Sequence, residues 1–163
     1  MRVFFQPQTD LRYLPISEIT FDPRSRHELG VVLRGLQYIF TNQELNHRVR
    51  AVLESALGGG HSRMGRPGMD YWEMLVLGVV RHALKADYDQ LHDLANHHRK
   101  LREILGIEPR AAFVSIAEPK RYSLQTIKDN VGLLDEAVLV AINQVMTDGG
   151  HDFVKKKAWP KGR

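Results

Sequence analysis

The chain has no cysteine, which excludes disulfide staples and thiolate metal centres. At 163 residues it has length for one domain, with or without arms, and such a length buries a core without staples. A chain without disulfides suits a reducing compartment. Long apolar runs are missing as well. The longest, Met74 to Val80, covers seven residues and includes Gly78, whereas a membrane-spanning helix needs about 20. The opening Met1-Arg-Val-Phe-Phe-Gln-Pro7 holds no apolar stretch of signal-peptide length. These absences read as a soluble, cytoplasmic chain with no membrane partner. There is also no internal repeat, no low-complexity tract and no alternating pattern long enough to seat a sheet.

What is present is ordinary in bulk and uneven in place. Hydrophobic residues make up 43% and charged residues 26%, the balance of a globular domain. The net charge of +4 belongs to the last 13 residues, where Lys155, Lys156, Lys157, Lys161 and Arg163 face Asp152 alone. The first 150 residues are therefore neutral. A basic tail fits an anionic partner or a solvated end. Residues 1–24 hold Pro7, Pro15 and Pro23 without helical period and read as an extended N-terminal arm, with Val3–Phe5 and Ile19–Phe21 as short extended pieces.

From residue 25 to 149 helical signals follow in series and predict an all-α bundle. Ser25 with Glu28, Thr41 with Glu44, Asp70 with Glu73 and Asp87 with Gln90 have capping-box spacing, in which each side chain satisfies a free backbone N–H of the other's turn. The first box opens a helix carrying Leu29, Val32, Leu33, Leu36 and Phe40. The second opens one carrying Leu45, Val49, Val52 and Leu53 that ends at Gly58-Gly59-Gly60. The helix from Asp70 to Lys85 is apolar nearly all round, with only Glu73, Arg81 and Lys85 as a charged stripe, which predicts the centre of the bundle. Two short helices, 87–97 and 98–105, meet at a tight junction and predict a helix-turn-helix-like portion. Ser123 is placed to cap a long last helix, where Leu124, Ile127, Val131, Leu134, Val138, Ala141 and Val145 form a heptad seam. That seam suits either packing on the 70–85 helix or homodimerisation.

Constellations for chemistry are absent. There is no Gly-x-Ser-x-Gly elbow, no phosphate loop and no His-Glu-x-x-His. His92, His97 and His98 lack ligand spacing and read as solvated or helix-end residues. Glu28, Glu44, Asp70, Glu73 and Asp87 are accounted for at helix starts, where the helix dipole favours them. The expectation is no catalytic site, no metal and no cofactor in this chain.

Groups suited to nucleic acid are better represented. His97-His-Arg99-Lys100-Leu-Arg102 is basic, and Lys120-Arg121-Tyr122-Ser123 leads into Leu-Gln125-Thr126-Ile-Lys128. A helix N-terminus favours phosphate, and glutamine can pair with adenine in the major groove. The candidate DNA contacts are Arg99, Lys100, Arg102, Lys120, Arg121, Ser123, Gln125, Thr126 and Lys128, joined by Lys155, Lys156 and Lys157 of the tail at 150–163. The alternative is an ordinary polar helix start.

Gly65-Arg-Pro-Gly-Met-Asp-Tyr-Trp-Glu-Met-Leu75, Asp87-Tyr-Asp-Gln-Leu-His-Asp-Leu94, Leu101-Arg-Glu-Ile-Leu-Gly106 and Tyr122-Ser-Leu-Gln-Thr-Ile127 together resemble the N-terminal helical domain of bacterial insertion-sequence transposases with an acidic-triad (DDE-type) catalytic core. The resemblance covers about residues 65–148 and is one of order and spacing. It implies recognition of double-stranded DNA at transposon terminal repeats, and a nucleoid-associated location. It also implies a metal-dependent ribonuclease H-like domain beyond Arg163. No residue here matches that triad, so the divalent metal is implied only for the following domain, and the chain reads as truncated before it. A helical interaction or dimerisation module without DNA contact is the alternative function.

Overall fold

The computed structural model describes residues 10–58, 69–116 and 119–148. Seven α-helices occupy them: α1 Glu28–Thr41, α2 Gln43–Leu57, α3 Tyr71–Leu84, α4 Tyr88–His97, α5 Arg99–Leu105, α6 Leu124–Val131 and α7 Glu136–Asp148. The class is all-α. The β-type pairing among the described residues is an isolated bridge between Tyr13 and Pro109.

As its sequence requires, α3 is the centre. Every residue from Tyr71 to Val80 is buried, and α1, α4, α5 and α6 pack around it. The Trp72 ring meets Phe40 edge-on at 5.0 Å, and its indole N–H donates to the Ile104 carbonyl at 2.7 Å. Both expected boxes on α3 and α4 are formed: Asp70 accepts from the Glu73 amide at 2.7 Å and Asp87 from the Gln90 amide at 2.8 Å, and each partner side chain reaches back. α3 ends on Lys85, whose φ of 52° is left-handed, a conformation unfavourable for any residue with a Cβ.

The structure corrects four expectations. Ser25 does not cap α1: the helix begins at Glu28, His27 is the cap, and its Nδ1 accepts from the Leu29 amide at 3.3 Å. Thr41 ends α1 and Asn42 caps α2, accepting from Leu45 at 3.0 Å. Glu44 then falls one position short of a box. Of the expected extended arm at 1–24, the described residues 10–24 pack on α1. Ile16 and Ile19 are buried, and Gln37 of α1 donates to both of their carbonyls.

The fourth correction is the largest. The long last helix is two helices, α6 and α7. Gly132 ends α6, tight turns place Leu133 and Leu134 on the carbonyls of Asn130 and Val131, and Asp135 accepts from Val138 at 2.9 Å to start α7. The break is held by long-range packing: Leu134 sits so close to Gly78 that a Cβ there would lie 2.6 Å from Leu134 Cδ1. After the break the buried face turns to Leu139, Ile142, Asn143 and Met146. α7 packs on α2 rather than on α3, and α6 packs on α3 and α4. The heptad seam argued for homodimerisation is therefore not a continuous surface.

Candidate nucleic-acid interface

The segment leading into α6 has no secondary structure, yet three consecutive residues are fixed. The Asn96 amide, buried at the end of α4, donates to the Tyr122 carbonyl at 2.9 Å and accepts from the Tyr122 amide at 2.8 Å. The Arg121 guanidinium donates to the Asn96 carbonyl, and the Arg102 guanidinium to the Lys120 carbonyl at 3.0 Å. Below them lies Glu73, only 3% exposed. A buried carboxylate is costly without donors, and it has three: the Asp70 amide at 3.0 Å, the Tyr122 hydroxyl at 2.7 Å and the Lys120 ammonium. Glu73, read from the sequence as part of a charged stripe, thus belongs to the interior.

This cluster shifts its own members. Burial, followed by the charge of Glu73, pushes the Asp70 carboxyl up to about 6. Burial and the same neighbouring carboxylate raise the Tyr122 phenol. Tyr122 therefore acts here as a neutral hydrogen-bond donor to Glu73.

With its approach fixed, α6 presents its first turns outward. Ser123 caps the helix by accepting from the Thr126 amide at 3.1 Å, and the two hydroxyls meet at 2.8 Å. Ser123, Gln125 and Lys128 are exposed and Thr126 partly so. Gln125 donates to Asp129 at 2.7 Å, one turn on. Lys120 and Arg121 flank this turn on the chain. Arg121 docks on Asn96, three residues before Arg99, so the loop meets the corner between α4 and α5.

At that corner Arg99 and Lys100 hold opposite oxygens of Glu103, each at 3.2 Å. The Arg99 side chain is 76% exposed while that of Glu103 is 8% exposed. Lys100 also lies 5.8 Å from the Phe21 ring. His98 caps α5 through Nδ1, accepting from Leu101 at 3.2 Å. Its pKa is lowered, first by burial and then by the nearby His27.

Arg102 leaves the set of phosphate contacts. It is 2% exposed, pairs with Glu108 at 2.6 Å and donates to the carbonyls of Ala95 and Lys120. Its work is to tie α4, α5 and the approach to α6 together. α5 is also wrong for a groove-entering helix, since Leu101 through Leu105 are all buried. The helix of this portion that faces outward is α6. Lys155, Lys156 and Lys157 lie outside the described residues. Sequence reasoning missed Asn96 and undervalued Glu73. A lone carboxylate in an otherwise apolar helix was the signal for the latter, since it demands buried donors.

Among the described residues no three histidine or acidic side chains are grouped to hold a metal ion, and no helix is long and apolar enough to cross a membrane. A scan against family models found no match, and neither did searches of curated proteins and of solved structures.

Proposed function

We propose that this chain is a DNA-binding and assembly domain of an insertion-sequence transposase, taking transposon-end duplex DNA as its ligand. The observation that carries the reading is the construction of the start of α6. A buried network uses Asn96, Glu73 and Arg102 to immobilise residues 120–122, and the helix it aims carries exposed Ser123, Gln125 and Lys128. Rigid positioning of polar groups lowers the entropy cost of binding. Hydroxyl and amide groups on the first turn of α6, with the Lys128 ammonium on its last turn, suit phosphate and base edges. The order of motifs shared with the transposase domain supports the nature of the ligand.

The division of labour follows from exposure. Arg99, Lys100, Lys120, Arg121 and Lys128 serve the phosphate backbone, with the tail lysines as additional contacts, and Gln125 and Thr126 read bases. Arg99, Lys100 and Lys120 exchange a glutamate partner for phosphate, which tempers affinity at each.

The test is fluorescence anisotropy of the whole chain with duplexes from the ends of its element and with scrambled duplexes, across salt. Affinity should fall log-linearly with salt, by about 0.9 in slope per phosphate neutralised. Replacing Lys155, Lys156 and Lys157 with alanine should flatten the slope by about 3 if all three touch phosphate. Absence of duplex binding at about 50 mM salt, where such contacts are strongest, would refute the reading.

A further inference from the structure

Arg81 stands on the last turn of α3 in an unusual setting. With the described residues it makes no ion pair and no side-chain hydrogen bond, and its Nε atom is buried without a partner. Its guanidinium instead lies over the Tyr88 ring, 4.2 Å from the centroid. Tyr88 is half-buried at the start of α4 and packs against the core. The far end of the same ring reaches α6: a Cβ at Gly132 would lie 3.3 Å from the Tyr88 hydroxyl. Gly132 is exposed, and Lys128, one turn earlier on that face of α6, is exposed and pairs with no described carboxylate. Tyr88 is thus a plate between α3 and α6, with Arg81 stacked on it and its hydroxyl end at Gly132, one turn after Lys128. The carboxylates of the surrounding turns are occupied elsewhere or out of reach. Asp87 accepts from Gln90, Asp129 from Gln125 and Asp135 from Val138, and neither these nor Asp89 comes within ion-pair distance of Arg81.

We propose that Arg81, carried on Tyr88, is a contact for the phosphate backbone of duplex DNA, extending the α6 surface past Lys128. The inference rests on the DNA-binding reading above. A guanidinium held by a ring keeps its planar fork and terminal N–H donors ready for a phosphate, and stacking restricts the rotamers before the ligand arrives. Arg99, Lys100 and Lys120 must give up an internal carboxylate, whereas Arg81 has none to lose. It is therefore the stronger phosphate ligand of the group.

The experiment is anisotropy of the whole chain with a duplex of random sequence, from about 50 to 200 mM salt. Losing one phosphate contact lowers the slope by about 0.9, so the affinity deficit of Arg81→Gln should shrink about 3.5-fold across that range. Arg81→Lys keeps the charge and loses the stacked fork; it should weaken binding at every salt with the slope retained. Tyr88→Leu should act like Arg81→Lys, and Tyr88→Phe like the parent. Arg50→Gln removes the same charge from α2, where Arg50 pairs with Glu54, and should leave both slope and affinity unchanged. Far-ultraviolet dichroism of each variant checks its helix content. A parent that binds duplex while Arg81→Gln matches it, or matches Arg50→Gln, overturns this proposal alone. A parent that binds no duplex overturns the DNA reading and this proposal with it.

Discussion

Asp70→Asn should stabilise the protein at neutral pH and have almost no effect in acid. Asp70 caps α3 through one oxygen, accepting from the Glu73 amide at 2.7 Å. Its carboxyl is largely buried beside the buried Glu73, and its pKa rises from 3.8 to about 6. A raised folded-state pKa means that the folded protein holds this proton more tightly than the unfolded chain does. The stability so gained is complete below about pH 4 and is lost as pH rises through about 6. A rise of that size corresponds to about 3 kcal/mol, the cost of keeping the charged group in place above pH 6. Asparagine caps as well as aspartate, offers the same oxygen and carries no charge. It gives up a favourable interaction with the helix dipole of about 0.3–1 kcal/mol. The variant should therefore be about 2 kcal/mol more stable than the parent at pH 7.5 and within about 1 kcal/mol of it at pH 4. Urea denaturation followed by dichroism at a series of pH values measures this directly. Asp70→Ala serves as the control, since it removes charge and cap together and forfeits about 1 kcal/mol of the gain. A variant less stable than the parent at pH 7.5, or a difference that does not change with pH, would refute the reasoning.

Further expectations follow from single contacts. Trp72→Ala should cost about 3–5 kcal/mol, because the ring is 4% exposed and its N–H satisfies Ile104; equilibrium unfolding measures it. Lys85→Gly should gain up to about 1 kcal/mol, since glycine takes the left-handed φ without the Cβ penalty; an unchanged or lowered melting temperature would count against the strain. Gln125→Ala should lower discrimination between element-end and random duplexes by about 1–3 kcal/mol with the salt slope retained, as parallel titrations of the two duplexes would show. Gly78→Ala should destabilise by about 1–3 kcal/mol, because the added methyl meets Leu134 at the break between α6 and α7; a neutral result would mean that Leu134 yields freely.

Much of the candidate site's local geometry was legible in the sequence, in pieces. Ser123 as a cap, with Gln125 and Thr126 on the turn it begins, follows from local chemistry, because a cap and its amide lie within one turn. Basic character also marked Arg99, Lys100, Lys120 and Arg121. Arg102 shows where such marking fails: its charge was visible, but its burial depends on Glu108 and the Ala95 and Lys120 carbonyls arriving from three directions. Arg81 fails in the opposite sense. It reads as one charge of a stripe on α3 until Tyr88 is found beneath it.

Near-neighbour rules by themselves determined the all-α class, the burial of α3 and the Asp70 and Asp87 boxes, since periodicity and capping need only residues one or two turns apart. They also carried signals that the seam obscured: Gly132, followed by Asp135 and Glu136, is a stop and a start. Only the tertiary structure decided that the stop prevails. A helix continued through Gly132 would keep its heptad seam, but Leu134 gains a slot beside Gly78, 56 residues away in the chain, and α7 gains α2 as its partner. The same holds for Glu73, which local spacing makes a cap partner. Its burial under Lys120 and Tyr122 exists because packing brings α3 and the start of α6 together, and a charge in that interior is tolerated only where distant donors converge on it.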